Sequence, residues 1–193
     1  MSTPMNFSTK FHVDGEPLSD PISYRRLIGR LIYLTNTRHN ITYVFNHLSQ
    51  YVFAPTKNCH QTTFRILRYL KGTVGLGILL DEKSGIHFIA YSDSDWAGYT
   101  NKHKSVTGYL VYLGNTIITW KSKKQTTISR SSFVAKYRAL AHTTCEIQWL
   151  SHLMHDLNLL LRLWQVYQVA QVVTGKTGVS FPKRLVYTKY LRN

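Results

Sequence analysis

Apolar residues in the first third of the chain recur every three or four positions, a spacing that predicts amphipathic helices. Three stretches show it: residues 20–34, 41–53 and 60–71. Asp20 followed by Pro21 is typical of a helix start, because Asp caps free N–H groups and Pro fits the first turn. Pro55 stops the second helix, and Gly72 closes the third. Residues 1–73 are therefore expected to form a small helical segment.

From Val74 onward the apolar period changes to two, which predicts strands over residues 75–80, 86–92, 107–113 and 116–121. Gly114-Asn115 separates the last two strands as a hairpin turn. A long helix follows from about Ser131, with one apolar stripe that runs to Leu161. This order of elements predicts an α/β (α+β) fold class, in which residues 74–162 form a partial mixed sheet with a long helix.

The tail, residues 163–193, differs in character: it is rich in Val and Gln and ends in basic residues. No clear element in it completes the sheet, so we expect the fourth and fifth strands to be missing and one sheet edge to be uncovered. A divergent basic tail of this kind fits disorder or a reading-frame shift after Leu157. Translation of the other two frames of the same DNA would test the frameshift.

Charge favours a polyanionic partner. Lys and Arg number 24 against 9 acids, for a net charge of +15, and no acid lies between Trp96 and Cys145. Nucleic acid is the simplest such partner, although drift toward basic residues without any partner explains the charge equally well. The two cysteines suit a reducing compartment, so we expect an intracellular protein of the cytoplasm or nucleus, with the oligomeric state open.

Other function classes find little support in the sequence. The longest apolar stretch, residues 157–164, is too short to span a bilayer, and no signal peptide is evident, so no membrane partner is expected. No P-loop, nucleophile elbow or zinc-finger spacing is present, so no small-molecule substrate is expected. His152 and His155 share a helix face, but without further ligands this pair is interpreted as incidental.

Acidic residues end the predicted strand that contains Tyr91. Asp93 and Asp95 share strand parity, so either could supply the first carboxylate of a two-metal phosphodiesterase site. Mg²⁺ requires several oxygen ligands, and the matching carboxylate should lie one turn into the long helix. Lys136 occupies that position, and its ammonium group adds a cation where divalent cations would bind. Taken alone, the two aspartates are better explained as solvent-facing turn residues.

A second candidate surface leaves the strand predicted over residues 116–121, at Lys121, Lys123 and Lys124. These lysines could hold the phosphates of a nucleic acid. For so short a basic run, a solvated hairpin end is the more common structure.

In order along the chain, a series of motifs resembles the C-terminal part of the Pol polyprotein of plant copia-type LTR retrotransposons. The resemblance covers roughly residues 3–157. The motifs are Tyr24-Arg25-Arg26-Leu27-Ile28-Gly29, Arg65-Ile66-Leu67-Arg68-Tyr69-Leu70-Lys71-Gly72, Tyr91-Ser92-Asp93-Ser94-Asp95-Trp96-Ala97-Gly98 and Trp120-Lys121-Ser122-Lys123-Lys124-Gln125. The resemblance implies a connection segment that follows a reverse transcriptase, then a Mg²⁺-dependent ribonuclease H-like domain with Asp93 as its strand acid.

Departures from the family pattern determine what activity is expected. The family helix motif Ser-Ser-x-Glu-x-Glu-Tyr has Val134 and Lys136 in place of its two glutamates. The later Asp-Asn strand motif is missing. Asp93 is then the only retained candidate metal ligand and is expected to be non-functional, with no intact metal site and no cofactor.

The leading hypothesis is a degenerate, truncated Pol remnant without nuclease activity. The alternatives are a non-catalytic module that binds RNA–DNA hybrids, an active ribonuclease H that uses Asp93 and Asp95, and a chain that is not stably folded.

Overall fold

The computed structural model describes residues 3–5, 15–99, 103–159, 164–168 and 186–189. They belong to two compact units, Met1–Ile78 and Leu79–Asn193, and each unit has its own hydrophobic core. The sequence-based division at residues 73 and 74 stays a prediction. Among the helices of the described ranges, none is long and apolar enough to cross a membrane.

The first unit is helical. Its elements are α1 (Pro21–Leu34), α2 (Thr42–Leu48) and α3 (Lys57–Lys71), with single 3₁₀ turns at His39–Ile41 and Ser49–Tyr51. The helix predicted over residues 41–53 is therefore a short α-helix between two 3₁₀ turns. The third helix begins before its predicted start, because the Thr56 hydroxyl caps it by accepting a hydrogen bond from the N–H of Cys59.

A helix cap predicted from the sequence and one long-range hydrogen bond help to hold the first unit together. The Asp20 carboxylate accepts hydrogen bonds from the N–H groups of Ile22 and Ser23 at 3.0 and 3.1 Å, as expected for an N-cap. Tyr24, which is fully buried, donates its hydroxyl to the carbonyl of Leu48 at 2.9 Å. This hydrogen bond joins α1 to the end of α2 inside an otherwise apolar core.

The second unit combines one sheet with one long helix. Its elements in chain order are β1 (Phe88–Tyr99), β2 (Lys104–Leu113), β3 (Thr116–Lys124), α4 (Ser132–Asp156), β4 (Trp164–Gln168) and β5 (Val186–Lys189). The strand order is β3-β2-β1-β4-β5, with β4 parallel to β1 and the other pairs antiparallel. The predicted hairpin is confirmed, and its turn holds Gly114 at a φ of 56°, a left-handed conformation that favours glycine.

Two strand predictions are wrong. Residues 75–80 form no strand. The expectation of a sheet without its fourth and fifth strands is also wrong, because Trp164–Gln168 pairs with β1 and Val186–Lys189 pairs with Trp164–Gln168. The remainder of the predicted tail lies outside the described residues. Because β4 pairs with β1, β1 is not an uncovered edge of the sheet. The uncovered edge was the reason to consider an unstable fold.

Alternation along β1 fixes which face of the sheet carries the core. Phe88 and Ala90 are fully buried and pack with Val111 of β2 and with the apolar stripe of α4, including Ile147. The helix thus covers one face of the sheet, and the mixed α/β fold class is confirmed. The arrangement is compatible with a partial ribonuclease H-like domain.

Candidate functional site

The C-terminal part of β1 and the start of α4 meet at one end of the sheet. The indole N–H of Trp96, near the end of β1, donates to the carbonyl of Ser129 at 3.0 Å, just before α4. Ser131 caps α4 as predicted, because its hydroxyl accepts from the N–H of Val134 at 3.3 Å. Lys136 therefore lies one turn into the helix, at the end of the sheet to which Asp93 belongs.

Asp93 lies in an environment that disfavours its charged form. Its neighbours in β1, Ser92 and Ser94, have the parity of the core-facing residues, so Asp93 turns toward the opposite face of the sheet. Burial raises the pKa of the Asp93 carboxyl, while a backbone hydrogen bond from Ser94 and the charge of Lys136 lower it, with burial prevailing. Within the described chain, Asp93 Oδ1 and the hydroxyls of Ser92 and Ser94 are buried without hydrogen-bond partners.

Asp95 turns toward the backbone of the same strand. A Cβ atom placed on Gly98 would meet Asp95 Oδ2 at 2.2 Å, so the carboxylate lies directly against Gly98 and would have to move if a larger residue stood there. Asp95 is thus brought near Asp93 by the strand, and the two carboxylates influence each other electrostatically. Both strand acids that the sequence suggested are therefore close together, but the helix position expected to hold the matching carboxylate is occupied by the half-buried Lys136.

The donor set at this end of the sheet does not fit Mg²⁺. Mg²⁺ is held by several oxygen ligands in near-octahedral geometry, whereas Lys136 offers an ammonium group in place of a carboxylate. The ranges that the structure describes contain no group of three or more His, Cys, Asp or Glu side chains able to hold a metal ion.

The basic run lies differently from the prediction. Lys121, Lys123 and Lys124 belong to β3 and do not leave it as a solvated hairpin end. Lys121 pairs with Tyr109 and Lys123 with Thr107, both on the face that packs on α4. Lys124 pairs with Val106 and so has the opposite parity. The three lysines therefore differ in strand parity, although all three line one pocket.

A pocket of ≈ 170 Å³ lies between β3 and the flank of α4. We call it the β3–α4 cleft; it is lined by Thr107, Tyr109, Lys121, Lys123, Lys124, Gln125, Thr126, Thr127, Arg138, His142 and Glu146. Sequence reasoning missed the contributions of α4. The available signal was the four-residue spacing from Arg138 to His142 to Glu146, which places them on one helix flank.

A buried hydrogen-bond network fixes the floor of the cleft. Gln125 donates to the Thr107 hydroxyl at 3.1 Å and to the carbonyl of Ala135 at 3.0 Å. Its side-chain carbonyl accepts from the Ser129 hydroxyl at 2.9 Å. Arg138 Nη1 in turn donates to Ser129 Oγ at 3.1 Å. The connection between β3 and α4 is thereby held in one conformation beneath the basic side chains.

Comparison with known proteins identifies the family. Over 162 residues, 83% of this chain, the sequence is 44% identical to the retrovirus-related Pol polyprotein from transposon RE2 of Arabidopsis thaliana. The chain belongs to the Pol polyprotein family of copia-type retrotransposons. It spans 11% of the length of that Pol relative, so it corresponds to one part of a Pol polyprotein.

Shorter relatives of this Pol segment are also known. An uncharacterized mitochondrial protein of Arabidopsis thaliana is 41% identical over 151 residues, which cover 78% of this chain and 63% of that protein. The secreted RxLR effector protein 161 of Plasmopara viticola is 34% identical over 131 residues, which cover 67% of this chain and 92% of that protein. No protein-family model matches the Pol segment, and no solved structure matches it.

Proposed function

We propose that this Pol segment is a remnant of a ribonuclease H-like region that does not cleave nucleic acid. The observation that carries the proposal is that Lys136 lies near enough to Asp93 for its positive charge to lower the pKa of that carboxyl. A two-metal phosphodiesterase places carboxylates around the metals so that they neutralise the charge of two divalent cations. Lys136 instead places a positive charge where such a site has a carboxylate.

Electrostatics explains why this single side chain is decisive. Two like charges about 4 Å apart repel by roughly 4 kcal/mol at the effective dielectric constant near a protein surface, and a divalent cation doubles that repulsion. Asp93 compensates this repulsion less well than an exposed carboxylate would, because burial raises its pKa. The arrangement therefore opposes metal binding through both the added cation and the weakened anion.

A metal titration tests this proposal without depending on turnover. Mn²⁺ can be titrated into the folded protein while free Mn²⁺ is followed by electron paramagnetic resonance, beside an Asp93→Asn variant. We expect both proteins to show the same weak, non-saturating uptake. Saturable binding that Asp93→Asn abolishes would contradict the proposal, since it would show a metal site built on Asp93 despite Lys136.

A second candidate function is non-catalytic binding of nucleic acid. It is favoured by the β3–α4 cleft, where Lys121, Lys123 and Arg138 line one pocket. A ribonuclease H-derived surface should prefer an RNA–DNA hybrid to a DNA duplex of the same sequence. The test is a competition between these two duplexes, with a cooperative thermal transition to establish that the sample is folded. Equal binding of both duplexes would point to charge alone, and no binding would eliminate this function.

A further inference from the structure

We propose that the β3–α4 cleft is the principal nucleic-acid contact of this protein and that it binds the phosphodiester backbone along its rim. This inference rests on the second proposed function, nucleic-acid binding. It assigns that binding to Lys121, Lys123 and Arg138, and it separates binding from the part of the sheet that contains Asp93.

The strand places two cations in a row. Lys121 and Lys123 are both exposed, and they share the α4-facing side of β3. Residues two apart on a strand are separated by roughly 7 Å, so the two ammonium groups can contact separate groups along one extended anionic chain. Because β3 is the outermost strand of the described sheet order, no further described strand lies beside this row of exposed side chains.

The helix supplies a third cation whose position is fixed. Arg138 Nη1 donates to the carbonyls of Thr127 and Ile128 at 3.3 Å each, and to Ser129 Oγ at 3.1 Å. These bonds join the guanidinium to the segment between β3 and α4, which the Gln125 side chain also holds through hydrogen bonds to Ser129 and Ala135. A guanidinium held in this way loses little conformational entropy on binding, and its remaining N–H groups suit phosphate oxygens.

Glu146 determines how deep an anion can enter. The Tyr109 hydroxyl is hydrogen-bonded to Glu146, and burial together with this carboxylate raises the pKa of Tyr109. A carboxylate among the cleft-lining residues repels a fully enclosed anion, whereas the lysines on the exposed strand stay attractive. The expected ligand is therefore an anionic chain that runs along the rim. A small free anion enclosed in the pocket would be repelled by Glu146.

The lining favours a nucleic-acid backbone over a protein partner. Apart from the buried Tyr109, every residue that lines the cleft is polar or charged. Protein interfaces usually depend on buried aromatic or aliphatic anchors, and this cleft offers no pocket for one. Phosphate contacts instead use Lys, Arg and Thr side chains, all of which are present here.

The test measures binding of a fluorescently labelled RNA–DNA hybrid by anisotropy across a range of salt concentrations. Three double variants are compared with the unaltered protein. Lys121→Ala with Lys123→Ala removes the row, Lys121→Arg with Lys123→Arg keeps its charge, and Lys71→Ala with Lys83→Ala removes two exposed lysines elsewhere. Each phosphate contact contributes about 0.9 to the slope of log affinity against log salt.

We expect the first alanine pair to lower that slope by about two, while the arginine pair keeps it and the remote alanine pair changes it by less than one. If the unaltered protein does not bind, the binding function itself fails. If it binds and the two alanine pairs lower the slope equally, binding stands but the cleft assignment is overturned. Equal competition by polyglutamate of matched charge would overturn the phosphodiester assignment.

Discussion

The charge of Lys136 acts on the Asp93 carboxyl and lowers its pKa, yet burial still holds that pKa above its ordinary value. In a metal-dependent site, a carboxylate at this place would be kept ionised by the cations that it binds. Here burial makes ionisation of the Asp93 carboxyl less favourable in the folded chain than in the unfolded one. Asp93 is therefore a destabilising residue at neutral pH, which leads to a stability prediction.

Asp93→Asn should stabilise the protein at neutral pH by roughly 0.5 kcal/mol, a small value because solvent screens a partly exposed carboxylate. The folded pKa is raised, so the favourable contribution of Asp93 is full below the unfolded value of 3.8 and is lost as pH rises through the folded pKa. Urea unfolding across this pH range measures the difference. A variant that is less stable than the parent at neutral pH would contradict the assignment.

Lys136→Glu should destabilise the protein by about 1–2 kcal/mol at neutral pH, because a third carboxylate would then lie near Asp93 and Asp95. Lys136→Gln is the matched control, since it removes the charge without reversing it, and it should lose less than half as much. Urea midpoints at low salt measure both. Similar losses for the two variants would show that Lys136 contributes through packing alone.

Gln125→Ala should lower the free energy of unfolding by about 2–3 kcal/mol. The buried amide bonds Thr107, Ser129 and the carbonyl of Ala135, and its removal leaves these groups unsatisfied beside a cavity. Lys123→Ala, an exposed neighbour, should change stability by less than about 0.5 kcal/mol. A Gln125→Ala loss no larger than that of Lys123→Ala would remove the basis for a fixed cleft floor.

Arg38→Met should loosen the end of the first unit. The buried guanidinium donates to the carbonyls of Thr73 and Leu76 at 2.8 and 3.0 Å and to the Thr73 hydroxyl at 2.6 Å, and it lies over the Tyr69 ring. Loss of these bonds should cost about 2–3 kcal/mol. Hydrogen exchange of the peptide that contains residues 73–76 should accelerate, while exchange in α4 stays unchanged. Equal acceleration in both places would indicate global destabilisation.

Local signals allowed parts of the fold to be predicted from the sequence. The Asp20 cap, the Gly114-Asn115 turn and the Ser131 cap each depend on neighbouring residues only, and all three lie where they were expected. The strand predicted over residues 75–80 is wrong, because local alternation cannot supply a partner strand. Conversely, β4 was missed because it pairs with β1, which lies far away along the chain, before α4.

The candidate site shows the same division between local and long-range information. The replacement at Lys136 could be found from the helix motif alone, since its spacing from Ser131 is local. The different strand parity of Lys124 from that of Lys121 and Lys123 could be assigned to sheet faces only with the register of β3 against β2. The part played by Arg138 required knowledge of where α4 lies over the sheet, which the order of residues along the chain does not determine.

The measurement that tests the central claim most directly is cleavage of the RNA strand of an RNA–DNA hybrid by the folded protein, with Mg²⁺ and with Mn²⁺. An Asp93→Asn variant prepared in the same way separates a genuine activity from a contaminating nuclease. The account predicts no cleavage above the background of that variant with either metal. Cleavage by the parent protein that Asp93→Asn abolishes would contradict it, because a working site would then exist without a carboxylate at position 136.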